Sequence, residues 1–144
     1  MSALQRFYGS SKLNIGTNDS VTQGRDQYLP LSTFTANMKT MFDALTSPSS
    51  PYAVADSPVS IILITPGPPL HSQMPEDRRP GRSVARTGAF RDEVIRLFHE
   101  WKALEAQQTL VKGEWGWKVS LVDFWGELVK DAGGIGEELA PYYL

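Results

Sequence analysis

The chain has no cysteine. That absence excludes disulfides, thiolate metal sites and cysteine nucleophiles, and it suits a reducing compartment. An excess of charge is missing too. Fourteen Lys and Arg stand against 16 Asp and Glu, for a formal net charge of -2, so no long-range field draws the protein to nucleic acid or to an anionic membrane. Histidine is scarce, only His71 and His99, and no group of residues has metal-ligand spacing. Long apolar runs are absent as well. The longest stretch, "VSIILITPGPPL", is about half the length of a membrane span and is broken by proline, and the opening residues carry no apolar stretch of the secretory kind. These absences predict a cytoplasmic chain with no membrane span, no nucleic-acid partner and no cofactor. At 144 residues the chain suits one domain, burying roughly 70% of the surface its unfolded form exposes.

Residues 1–12, "MSALQRFYGSSK", are polar and unperiodic and read as an irregular segment. Leu13 and Ile15 flank Asn14 in a short apolar approach, a stunted version of a buried parallel strand. After a polar loop, Pro30 and Ser32 signal a helix start, and Phe34, Met38, Met41, Phe42 and Leu45 fall on one helical face. Two prolines and several hydroxyl residues in "TSPSSPY" end it. Val59 to Thr65 is β-branched and almost uninterrupted, which predicts a central strand covered on both faces. Residues 66–88 are rich in proline and arginine; a loop of that length is a functional lid or a disordered insertion. Thr87 is the candidate cap of a helix whose Phe90, Val94, Leu97, Phe98, Trp101 and Leu104 form one stripe, leaving Arg91, Asp92, Arg96 and Lys102 to water. Lys118 to Val122 predicts another strand, and Asp123 caps a short helix that runs to the glycines at 133, 134 and 136.

Alternating strands and helices predict an α/β fold with a parallel sheet and right-handed crossovers. Ligand sites in such sheets lie beyond the carboxyl ends of the strands, where this order puts Asn18, Thr65 and Asp123. The turn Gly16-Thr17-Asn18-Asp19 presents a side-chain amide at a strand tip, a placement suited to an oxyanion.

In order and spacing, "IGTNDS", "YLPLSTFTANMKTMFDAL", "IILITPGPPL", "TGAFRDEVIRL" and "VSLVDFW" resemble the GDSL or SGNH-type ester hydrolases, and among them the isoamyl-acetate-hydrolysing branch. The resemblance covers nearly all of the chain from residue 13 onward. It implies a partial flavodoxin-like three-layer α/β/α fold over 13–144, with a parallel sheet lacking its first strands and a long loop at 66–88. It also implies small carboxylic esters as substrates, cleaved through an acyl-serine. Carried over residue by residue, Asn18 matches the family's oxyanion donor and Gly16 the glycine of its tight turn. The family's Gly-Asp-Ser nucleophile and Asp-x-x-His base do not occur in this sequence, so the expectation is a chain truncated at both ends and inactive by itself. The alternative is a non-catalytic remnant that acts as a binding or accessory protein, or self-associates through a sheet edge left unprotected at Leu13 to Ile15 or at Val59.

Other residues could stand in for the missing groups. His71, in the long loop, and Thr65, at a strand end, are the substrate-binding candidates. His99 reads as a partly exposed helix histidine. Ser10 and Ser11 read as linker serines, Ser20 shows no activating partner, and Asp19 has a structural role within its own turn. The cluster Arg78, Arg79, Arg82 and Arg86 reads as a solvated surface, with a grip on phosphate or carboxylate as the alternative. Trp101, Trp115, Trp117 and Trp125 read as core and rim aromatics. "GGIG" at 133–136 is a flexible turn rather than a dinucleotide fingerprint.

Overall fold

Apolar residues one helical turn apart decide where the first helix buries itself. The computed structural model describes residues 10–14, 17–47, 49, 59–108 and 116–143. Among them α1 (Leu31–Thr46) turns Phe34, Met38 and Phe42 into the interior, with Met41 and Leu45 packed at its margin. Pro30 precedes the helix, and its carbonyl accepts from the Phe34 amide at 3.0 Å. Proline suits this place because it has no amide proton to leave unpaired. Ser32 lies within the first turn and does not cap it.

Strand β1 (Ser10–Asn14), strand β2 (Val59–Ile64) and strand β3 (Trp117–Val122) form one parallel sheet in the order β1-β2-β3. In this register Leu63 lies between Leu13 and Leu121. Strand β1 begins within the segment expected to be irregular, because backbone pairing to β2 continues past the apolar residues to Ser10 opposite Ser60. The central position expected for Val59 to Thr65 holds. Among the described residues the sheet edges are therefore β1 and β3, and β2 is not an exposed edge.

One face of the sheet is closed. Val59, Ile61 and Leu63 of β2 and Trp117 and Val119 of β3 are buried with Phe34, Met38 and Phe42 of α1 and Phe90, Val94, Leu97 and Trp101 of α2 (Val84–Ala106). Phe42 stacks on Trp101 at a centroid separation of 4.2 Å and meets Trp117 edge-on at 4.9 Å, geometries that add to simple area burial. The opposite face differs from expectation. Ser60, Ile62 and Ile64 are half-buried, and Lys118, Ser120 and Val122 are exposed, so along β3 the alternation is that of a half-covered strand.

Helix α2 starts a turn earlier than Thr87. The Ser83 hydroxyl accepts from the Arg86 amide at 3.3 Å, which makes Ser83 the cap. Thr87 is buried, and its hydroxyl turns toward Ser20 instead. At the other end Leu104 is 44% exposed, three residues beyond Trp101, where the buried stripe ends. The long loop holds two 3₁₀ turns, His71–Gln73 and Arg79–Gly81. Helix α3 (Phe124–Ala132) is capped as expected: the Asp123 carboxylate accepts from the Gly126 amide at 3.1 Å, and Gly133 closes the helix at φ +82°, a left-handed conformation that glycine adopts without steric cost. A last 3₁₀ segment spans Glu137–Tyr142. No helix among the described residues is long and apolar enough to cross a membrane.

Candidate functional site

Beyond the carboxyl ends of the strands, two loops face each other: residues 17–29, which lead into α1, and residues 66–83, which lead from β2 into α2. Their contacts are polar and specific. The Thr22 amide donates to the Gly81 carbonyl at 3.0 Å and the Thr22 hydroxyl donates to the Pro80 carbonyl at 3.1 Å. Arg86 donates through Nε to Val21 O and through Nη2 to Leu29 O, both at 2.7 Å. Its guanidinium lies 4.5 Å from the centre of the Tyr28 ring, a cation–π distance. Arg86 is therefore a tie between helix and loop, not a member of a solvated surface.

Arg82 reaches the turn that carries the oxyanion candidate. It donates through Nη1 to the Thr17 carbonyl and through Nη2 to Asn18 Oδ1 at 3.4 Å. Burial lowers the Arg82 pKa from its ordinary value, and the like charge of Arg78 lowers it further. Asn18 is exposed, and its carbonyl accepts from the Val21 amide at 3.4 Å. Ser20, behind it, is fully buried and donates to the Thr17 carbonyl at 3.0 Å. The 3.1 Å contact between the Ser20 and Thr87 hydroxyls then takes the Thr87 proton. Ser20 is thus held in place by hydrogen bonds, none of them to a base among the described residues.

Two cavities flank this turn. One, of about 530 Å³, is lined by Asn18, Val21, Arg25, Asp26, Gln27, Asp77, Arg78, Gly81 and Arg82. The other, of about 250 Å³, is lined by Thr17, Gly67, Pro68, Pro69, Met74, Arg82, Thr87, Phe124 and Tyr143 and is mainly apolar. Arg82 borders both. Gly67 lies in close approach to another segment: a Cβ there would stand 3.0 Å from the Phe124 ring, which would have to give way. The Tyr143 hydroxyl donates to the Pro68 carbonyl, and burial raises its pKa above the ordinary value.

The residues singled out from the sequence fall into distinct settings. Thr65 is fully buried; its hydroxyl donates to Asp123 Oδ1 at 3.0 Å and accepts from the Trp125 amide at 3.2 Å, so it stiffens the strand end and offers nothing to a ligand. Asp123 also receives Arg91 in a two-pronged contact, Nε at 2.9 Å and Nη2 at 2.5 Å. Arg91, expected in water, is half-buried against this carboxylate, which it holds below the ordinary carboxylate range. His71 is exposed with Nε2 3.0 Å from the Arg82 carbonyl oxygen, and it lines neither cavity. His99 is exposed on α2. Asp19 accepts from the Leu29 amide through its carbonyl at 3.3 Å, and among the described residues nothing donates to its carboxylate. Trp101, Trp117 and Trp125 are buried. Gly16, Ile15 and Trp115 lie outside the described residues, as do the side chains of Ser10 and Ser11.

Phe124, Tyr143 and Met74 were not legible as site residues, because each comes to the apolar cavity from a different segment. The one local signal was the glycine in "TPGPP", which marks close approach by another group. Chemically the site offers hydrogen-bond donors beside an apolar recess. Among the described residues no hydroxyl is hydrogen-bonded to a histidine, and no three His, Asp or Glu residues are grouped for a metal. No family model, no curated protein and no solved structure matches this chain.

Proposed function

We propose that this chain is a GDSL-type, ester-hydrolase-like protein with a partial flavodoxin-like α/β/α fold, which binds small carboxylic esters beyond the carboxyl end of its sheet and by itself does not turn them over. One observation carries the reading: the Thr17-Asn18 turn stands where an apolar cavity of about 250 Å³ meets a donor-lined one, with Arg82 bordering both. An ester has those two needs, a recess for its alkyl or acyl chain and a donor for its carbonyl oxygen. Asn18 is the donor in this reading, and Pro68, Pro69, Met74 and Phe124 enclose the chain.

Turnover is a separate matter. Loss of one oxyanion donor lowers it on the order of 10²–10³-fold, whereas loss of the serine or histidine of a triad lowers it by about 10⁶. Neither Gly-Asp-Ser nor Asp-x-x-His occurs in the sequence, and Ser20 is held by Thr17 and Thr87. Binding without hydrolysis follows.

The test is a titration of ¹⁵N-labelled protein with isoamyl acetate. Saturable shifts at the Thr17 amide and the Asn18 side-chain amide are expected, with the ester recovered intact. Unchanged resonances at both positions up to the solubility of the ester would refute the reading.

A second reading is a non-catalytic accessory protein that pairs a sheet edge with a partner or with a second copy. Edge strand β3 opposes it over its first half, because the outward backbone groups of Trp117 and Val119 are already bonded to the side chains of Lys102, Glu105 and Gln108, which blunts that edge against strand addition. Light scattering at increasing concentration separates the two: a constant monomer mass removes self-association.

A further inference from the structure

The larger cavity has a chemical bias that the ester reading does not use. Its basic groups are Arg25, Arg78 and Arg82, and among the described residues none of the three is within salt-bridge distance of a carboxylate. Elsewhere some cations pair closely, as Arg91 with Asp123 at 2.5 Å and Lys39 with Glu100 at 2.9 Å, while Arg79 and Arg86 bond carbonyl oxygens. In the cavity the guanidiniums are tethered only to neutral oxygens. Arg25 donates to the Asp77 carbonyl at 3.4 Å, Arg82 donates to Thr17 and Asn18, and Arg78 has no side-chain hydrogen bond among the described residues. Asn18 accepts from Arg82 through Oδ1, so its amide protons remain available to the same space.

We infer that this cavity is a binding site for a small monocarboxylate that also carries hydroxyl groups. The carboxylate is recognised by Arg78 and Arg82 together with the Asn18 amide. The charge count selects a monoanion: three guanidiniums against the two carboxylates of the lining leave one net positive charge, which a carboxylate balances and a phosphate dianion exceeds. The two lining carboxylates, Asp26 and Asp77, are exposed and accept hydrogen bonds while donating none, so ligand hydroxyls are the groups they can hold in place of water. A volume of about 530 Å³ lies in the ordinary range for small-molecule sites.

Electrostatics supports the same placement independently. Partial burial, and to a lesser extent the charge of Arg78, act against the charged form of Arg82, and an anion beside the two guanidiniums offsets both. Because Arg25 and Arg78 are exposed, salt screens the attraction at ordinary ionic strength. Affinity is therefore expected to fall as chloride rises. The inference goes beyond the ester reading and does not rest on it.

The test is isothermal titration with four probes at matched ionic strength: sodium gluconate, sodium acetate, glucose and inorganic phosphate. Gluconate is expected to bind saturably at one site, at least about ten-fold more tightly than each of the others. Arg78→Ala is expected to weaken gluconate by roughly ten- to hundred-fold, the usual effect of removing a charge-assisted hydrogen bond, while leaving the melting temperature unchanged; Arg78→Lys should restore part of the affinity. Four results would each overturn the inference: no saturable gluconate binding, phosphate or glucose binding as tightly as gluconate, acetate equal to gluconate, or wild-type affinity in Arg78→Ala.

Discussion

Two arginine settings at the same end of the sheet behave in opposite ways. At the β3–α3 junction Arg91 meets Asp123, which in turn holds Thr65 and the first turn of α3; every strong group there has its partner inside the protein. Across the turn at Thr17 and Asn18, Arg25, Arg78 and Arg82 reach only carbonyl and amide oxygens or nothing among the described residues. A closed network of charge-assisted bonds fixes structure. An incomplete one leaves binding capacity for something else. The difference separates residues that hold the strand ends in place from residues that are available to a ligand, although both sets lie where a site is expected in a parallel sheet.

The largest way to break that contrast is Asp123→Ala. It leaves the half-buried Arg91 guanidinium with only the exposed Asp92 as an ion-pair partner, removes the α3 cap and frees the Thr65 hydroxyl, and is expected to cost about 2–3 kcal/mol in urea denaturation. A loss below about 0.5 kcal/mol would place Arg91 and Asp123 among the ordinary surface pairs. Acid examines the same contact. Asp123 is held below its ordinary value of 3.8, chiefly by the hydrogen bond from Arg91, so its stabilising contribution is complete well above that value and is lost as pH falls through the depressed one. The stability gap between wild type and Asp123→Asn should therefore narrow on acidification below about pH 4; a gap that widens would reverse the assignment.

A smaller effect is expected at the seam between the two loops. Thr87→Val removes the donor to buried Ser20 while keeping the shape, at a cost of about 1–2 kcal/mol, read as a lowered urea midpoint at constant m-value. Smallest of all is Arg78→Ala, which should change stability by less than about 0.5 kcal/mol, since Arg78 is exposed and has no internal partner among the described residues. A loss comparable to that of Asp123→Ala would mean the two settings are not different in kind.

What the sequence made legible follows from periodicity. Phe34, Met38 and Phe42 repeat at a helical interval and are buried together; the β-branched run from Val59 marked the central strand; Asp123 and Gly133 bound α3 through local bonds to nearby amides and carbonyls. These are short-range events, fixed by neighbours in the chain. The site was less legible because its contacts are long-range. Helical spacing gives Arg96 its partners Glu93 and Glu100, whereas Arg91 has only its neighbour Asp92 nearby, and nothing local points to Asp123, 32 residues away, as its main partner. Likewise, the spacing within residues 66–88 gives no sign that Arg82 crosses to Asn18 while Arg86 crosses to Val21 and Leu29. Thr87, the cap expected from the sequence, bonds buried Ser20 across the loop, and Ser83 one turn earlier caps the helix.

In the proposed function the Asn18 amide stands beside a recess for an ester, and among the described residues no activated nucleophile acts on it. Intact-mass analysis after incubation with a fluorophosphonate tests this most directly, because the reagent labels only an activated hydroxyl. The account predicts unmodified protein under conditions that label a competent serine esterase to completion. A stoichiometric adduct mapped to one serine, lost in Asn18→Ala, would contradict it.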